Sequence, residues 1–128
     1  MTDPALSTLI LLILLTVKHL IADFALQSRY ILDNRRFYGH PAGILHVAIH
    51  LVGTLAVLVF VGTPALLILA MLFVEGLVHY HLDWAKDNLV LKLGLNDEKR
   101  GYWILLGADQ MCHQLTYIGL ALWWYLWA

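Results

Sequence analysis

Four pairs of metal-ligand residues stand four apart along this 128-residue chain: His19 and Asp23, His46 and His50, His79 and Asp83, Asp109 and His113. Four residues is about one helical turn, so each pair projects from one face of its own helix. Each pair also lies in a hydrophobic stretch, where ionisable groups are costly and therefore rarely incidental. Imidazole and carboxylate donors without thiolate suit zinc, iron or manganese, and not soft copper or a cluster. Five imidazoles and three carboxylates are enough for one or two ions, with zinc the first expectation. Some of the eight would instead orient the others as hydrogen-bond partners. Helical bundles that turn such donors inward hold dinuclear centres, although this chain lacks their Glu-x-x-His spacing.

The elements that must position these pairs are membrane spans. Hydrophobic residues make up 61% of the chain and charged residues 13%, with a mean hydropathy of +0.74, which are not values of a soluble domain. A span needs about 20 residues, so four spans fill the chain as one transmembrane domain, residues 1–128. The expected fold is an all-α, integral membrane four-helix bundle with spans at about 5–28, 41–60, 65–87 and 102–127, the third extending toward Leu93 before Gly94. The first apolar run continues past Val17 to Leu26, so it reads as a span and not as a secretory signal. A formal net charge of −1 leaves no basic excess for a nucleic-acid partner. The single cysteine, Cys112, excludes an intramolecular disulfide and reads as a small buried residue.

Cations outside the spans fall in two loops: Arg29, Arg35 and Arg36, then Lys86, Lys92, Lys99 and Arg100. The positive-inside rule makes both loops cytoplasmic and both termini periplasmic, as for a multi-pass protein of a bacterial inner membrane. Measured from the loop end of its span, each pair then lies roughly 6 to 16 Å deep at 1.5 Å per residue. Four independently placed pairs fall in one layer. Helix-to-helix hydrogen bonding is the plainer account of any one pair, each bond being worth about 0.6 kcal/mol. Three aspartates near a span centre cost roughly 8 to 10 kcal/mol, which bonds of that strength do not offset and a bound cation does.

Neighbouring residues extend the site. Gly39, Gly43, His46, His50 and Gly53 recur at three or four, a strip on which another helix can approach closely, for packing or for the imidazoles. Glu75 reads as a general base or further ligand, and more plainly as the ion-pair partner of Lys18 near the midplane. Lys86 is the second candidate catalytic residue. Gln27, Gln110 and Gln114 are candidates to contact ligands or substrate, as alternatives to packing amides, and Arg35 and Arg36 ring the mouth of the site either as topology determinants or as attractors of an anionic substrate. His40, at a helix start, and His81, nearly opposite His79 on the wheel, read as interfacial.

The segments HLIADFALQ at 19–27, HYHLDWAK at 79–86 and ADQMCHQLT at 108–116 together resemble a family of small bacterial membrane proteins catalogued as a domain of unknown function. The resemblance covers nearly the whole chain and implies a polytopic inner-membrane protein. At the level of HxxxD pairs on helices, the chain is also loosely similar to helical zinc phospholipases and membrane-bound metal-dependent hydrolases, an analogy of site type. Two hairpins with their pairs at the same end further point to a parallel duplication about an axis along the membrane normal.

The leading expectation is a metal-dependent hydrolase opening to the cytoplasm, whose cation activates water against a phosphoester of a lipid-like or phosphorylated substrate. The alternatives are a metal-ion or proton-coupled transporter, a b-type haem protein and a structural membrane subunit. The reaction, the metal and the oligomeric state are not legible in the chain.

Overall fold

A computed structural model describes residues 3–128 as helices joined by short connections, with no strand among them. The first helix, α1 (Pro4–Leu20), begins where the sequence permits it best. Pro4 occupies a first-turn position that needs no N–H, and Asp3 Oδ1 accepts from Ala5 N at 2.9 Å. Helix α1 runs on through a π-helical turn, Ile21–Ala25, closed by Leu26 N donating to Ile21 O at 3.0 Å. Such a turn holds one residue in excess of an α turn and leaves a carbonyl without its usual partner. Gln27 Nε2 fills that role by donating to Asp23 O at 2.9 Å.

The expected first span to residue 28 therefore stops short, and Ser28 starts a separate helix, α2 (Arg29–Asn34), by accepting from Ile31 N. Hydrophobic periodicity gives no sign of so short a helix. Helix α3 (Pro41–Phe60) has the expected bounds, with His40 Nδ1 accepting from Ala42 N at 3.0 Å. Gly39 lies ahead of this helix with φ +79°, so the glycine strip begins at Gly43 and not at Gly39. Helices α4 (Ala65–Lys92) and α5 (Arg100–Trp127) follow, and Gly94, with φ +61°, turns the chain after α4.

Helix α1 packs on α3 and α5, α4 packs on the same two, and α2 lies against α3. One end of the interior is apolar: Leu11, Leu15, Leu58, Met71 and Leu120 pack there, and Trp124 Nε1 donates to Thr63 Oγ1 at 2.7 Å. Toward the other end the interior is polar, while Ile13, Val52, Val59, Leu66 and Phe73 face outward. Three helices are long and apolar enough to cross a membrane: Pro4–Ala25, Pro41–Phe60 and Ala65–Lys92. The fourth expected span, about 102–127, forms as α5 but is not among them, since Asp109, Gln110, His113 and Gln114 dilute its apolar character.

Gly53 shows how tightly the helices meet. A Cβ there would stand 2.5 Å from Lys18 Cγ, and the Lys18 head is tied down by Glu75. Gly53→Ala is expected to cost about 1–3 kcal/mol through this overpacking, read as a lowered unfolding midpoint in detergent. An unchanged midpoint would show that Lys18 moves aside freely.

Candidate metal centre

All eight residues of the four pairs are brought together, and all are buried. Their donor atoms fall into three overlapping groups, each within 4.8 Å: Asp23, His46, His50 and His79; His19, His79 and His113; Asp83, Asp109 and His113. Helical spacing supplies each pair, and the packing of four helices supplies the convergence.

Two carboxylates organise the layer. Asp23 Oδ1 stands 2.8 Å from His50 Nε2 and 3.3 Å from His46 Nε2, while its Oδ2 stands 3.0 Å from His19 Nε2. Asp83 Oδ2 stands 3.0 Å from His46 Nε2 and 3.1 Å from His79 Nε2, and its Oδ1 stands 3.1 Å from His113 Nε2. Asp109 Oδ1 lies 3.4 Å from His113 Nε2. His46 Nε2 and His79 Nε2 are 3.4 Å apart. Two neutral imidazoles cannot both donate along that line, and two bare lone pairs repel unless a cation lies between them.

Burial makes the polar accounting informative. Asp83 Oδ2, Asp109 Oδ1, His46 Nδ1 and Glu75 Oε2 are buried without a hydrogen-bond partner. Unpartnered buried oxygens are costly, and two of these four belong to the carboxylates that face the histidines. In a tetrahedral shell with metal–donor distances of about 2.0–2.1 Å, the donors themselves stand about 3.3–3.4 Å apart. His46 Nε2 and His79 Nε2 stand at that spacing and the Asp83 contacts, at 3.0–3.1 Å, are somewhat shorter, so these residues could hold a divalent cation with a small outward adjustment.

Behind the layer sits a second polar cluster. Lys18 Nζ donates to Glu75 Oε1 at 2.8 Å and to Tyr117 OH at 3.0 Å, and lies 3.4 Å from His50 Nδ1. Thr54 Oγ1 also donates to Glu75 Oε1, at 3.0 Å. Glu75 thus pairs with Lys18 and lies in none of the three donor groups. The sequence reading missed Tyr117 and Thr54. Each continues a pair by one more turn, His113 to Tyr117 and His50 to Thr54, and that periodicity was the available signal.

Arg35, Arg36 and Lys86 lie toward the loops. Arg35 is buried across the mouth, with its Nε 2.6 Å from Asp87 Oδ2, its Nη2 3.1 Å from Asp87 Oδ1 and its Nη1 2.6 Å from Gln27 Oε1. Its Nη1 is also 3.7 Å from Asp83 Oδ2. Burial works against its charge, but Asp83 and Asp87 outweigh that, and the guanidinium pKa lies above its ordinary value. Arg36 stacks on the Phe37 ring, and Lys86 Nζ pairs with Asp87 Oδ1 at 2.8 Å. Gln110 reaches His19, Asp23 and Asp109, whereas Gln114 accepts from Thr16. His81 is exposed, bonded to Leu77 O and Tyr38 OH, and Cys112 is half-buried.

No curated protein and no solved structure matches the chain. A family model matches residues 11–127, nearly the whole length over which these helices and the polar layer extend. The chain therefore belongs to the family described as "Protein of unknown function (DUF3307)".

Proposed function

We propose that this chain is an integral membrane four-helix bundle that holds a divalent cation in its His/Asp layer and hydrolyses a phosphoester of a lipid-like substrate from the cytoplasmic side. The observation that carries the reading is the meeting of His46 Nε2, His79 Nε2 and Asp83 Oδ2 at 3.0–3.4 Å, with the carboxylate oxygen free of any hydrogen bond. The donor set suits zinc, with iron or manganese next. A bound ion would supply Lewis acidity at the phosphoryl group and acidify a water.

The surroundings suit an amphiphile. A cleft of ≈ 420 Å³ at the loop end is lined by Asp33, Arg35, Arg36, Lys86, Asp87 and Tyr102, with three cations against two carboxylates, a setting that could take an anionic headgroup. An apolar groove of ≈ 590 Å³ between α1 and α3, shaped by Ala22, Ala48, Val52 and Gly53, runs up to Lys18 and could hold an alkyl chain. A metal transporter is the competing reading. It is disfavoured because the layer is backed by the Lys18–Glu75 pair and then by the apolar packing of Leu11, Leu15, Leu58 and Met71, which offers no donors for a cation in transit.

A duplicated hairpin belongs to the same reading, and two matching contacts support it. His19-x-x-x-Asp23 contacts His50 of α3 at 2.8 Å, and His79-x-x-x-Asp83 contacts His113 of α5 at 3.1 Å. The test is elemental analysis of detergent-purified protein, followed by phosphoester turnover and by ion flux in proteoliposomes. About one or two metal equivalents with turnover and without flux is the expected result. Flux without turnover selects the transporter, and absence of metal overturns both.

A further inference from the structure

The hydrogen bonds around Lys18 decide which of the eight donors are available to a cation. Lys18 contacts Glu75, Tyr117 and His50, and it can only donate to the last two. As an ammonium it has no lone pair. If its proton has passed to Glu75, its one lone pair is taken by that proton. The conclusion is the same in either protonation state.

From Lys18 the assignment propagates. The buried Tyr117 hydroxyl accepts from Lys18, and its other hydrogen-bond partner among the described residues is His19 Nδ1 at 2.9 Å, so its single hydrogen is satisfied only by donating there. His19 then carries its hydrogen on Nε2, which donates to Gln110 Oε1 at 3.0 Å beside Asp23 Oδ2 at 3.0 Å. His50 Nδ1 faces the Lys18 hydrogens at 3.4 Å, so its hydrogen is likewise on Nε2 and donates to Asp23 Oδ1 at 2.8 Å. An imidazole nitrogen that carries hydrogen has no lone pair for a metal. His19 and His50 present only such nitrogens to the layer.

The unpartnered atoms divide the same way. Both Asp23 oxygens have donors, from His50 and Gln110, whereas Asp83 and Asp109 each keep a buried oxygen with none. His46 and His79 face each other through Nε2 at 3.4 Å, where they cannot both hold hydrogens, and His113 Nε2 lies against Asp83 Oδ1. The Lys18 charge adds to the contrast by repelling a cation from the His50 side.

We propose that the layer is a site for one divalent cation, held by His46, His79, His113, Asp83 and Asp109, and that His19, His50 and Asp23 are a hydrogen-bonded wall beside it. This rests on the metal-binding reading above and removes its two-ion form. Lys18 and Tyr117 become positioning residues that fix the tautomers of the wall, and Asp23 meets the ligand shell at His46, 3.3 Å away, and through Gln110, which donates to both Asp23 and Asp109.

X-ray absorption on the unaltered, zinc-loaded protein tests this without any variant, because imidazole scattering counts the histidines on the metal. Three histidines and one metal equivalent are expected. Four or five histidines, or two equivalents, overturn the assignment and leave the metal-binding reading standing. No bound metal at all overturns both, so the two failures are distinguishable. Variants add a second measure. His19→Gln and His50→Gln are expected to reach full occupancy at saturating zinc, with affinity lower by about 10- to 100-fold. His79→Gln and His113→Gln are expected not to reach it. Nitrogen-15 spectra of the histidines should show unprotonated Nδ1 and protonated Nε2 for His19 and His50. The opposite tautomer at either residue contradicts the proposal.

Discussion

Asp83→Asn is expected to purify without bound metal, the largest effect of any single change in this chain. Its carboxylate touches His46, His79 and His113 at 3.0–3.1 Å and joins donors from α3, α4 and α5. Asparagine keeps the volume but removes the charge, and places an amide where one of the two oxygens stood. Arg35 still has Asp87, so the loop end remains closed. Structural zinc contributes about 10–16 kcal/mol of apparent binding energy, and a ligand present at about 1,000 times its dissociation constant stabilises a fold by about 4 kcal/mol. A chelator should therefore lower the melting temperature of the unaltered protein markedly and leave that of Asp83→Asn nearly unchanged. Equal sensitivity of the two proteins to the chelator would sink the assignment of Asp83 as a ligand.

The second large effect is expected at Glu75, which is fully buried beside Lys18, itself 9% exposed. Breaking a buried ion pair by removing one partner costs about 3–5 kcal/mol, because the other charge is left uncompensated. Glu75→Gln keeps an oxygen that can accept from Thr54 and Lys18 but removes the negative charge that the Lys18 ammonium is paired with. Replacing both members by apolar residues, Lys18→Met with Glu75→Leu, removes the charge together with its partner. The double variant is expected to recover most of the loss, since such exchanges are often neutral or stabilising. Reversible unfolding in mixed detergent micelles measures all three proteins. A Glu75→Gln protein within about 0.5 kcal/mol of the unaltered one would mean that water reaches Lys18, a change of the size expected for exposed positions.

Much of the site was legible because period and polarity act locally. The i, i+4 pairs fixed a face on each helix, and the distance of each pair from a basic loop fixed its depth, so convergence followed before any packing was known. The Lys18–Glu75 pair was legible for the same reason, two opposite charges at matched depth. Other features depend on packing between helices. Tyr117 is an ordinary aromatic until its hydroxyl is found between Lys18 and His19. Arg35 and Gln27 look like free polar groups at a mouth until the fold joins them to each other and Arg35 to Asp87. The proposed exclusion of His19 and His50 as ligands rests on their Nδ1 partners, Tyr117 and Lys18, which no spacing encodes. Helix α2 escaped notice because six residues are fewer than two turns and show no period.

The π-helical turn at Ile21–Ala25 bears on which changes of length the chain can absorb. Because that turn already carries one residue more than α geometry requires, loss of a residue there restores a regular helix and leaves the preceding α1 face where it was. Loss of a residue between the members of a pair on α3, α4 or α5 instead turns everything beyond it by about 100° and carries half of that pair out of the layer. Single-residue deletions along the helices should therefore be borne best just where α1 gives way to Asp23, so Asp23 sits on the segment of the bundle most open to deletion, while the pairs on α3, α4 and α5 sit on helices whose register is locked.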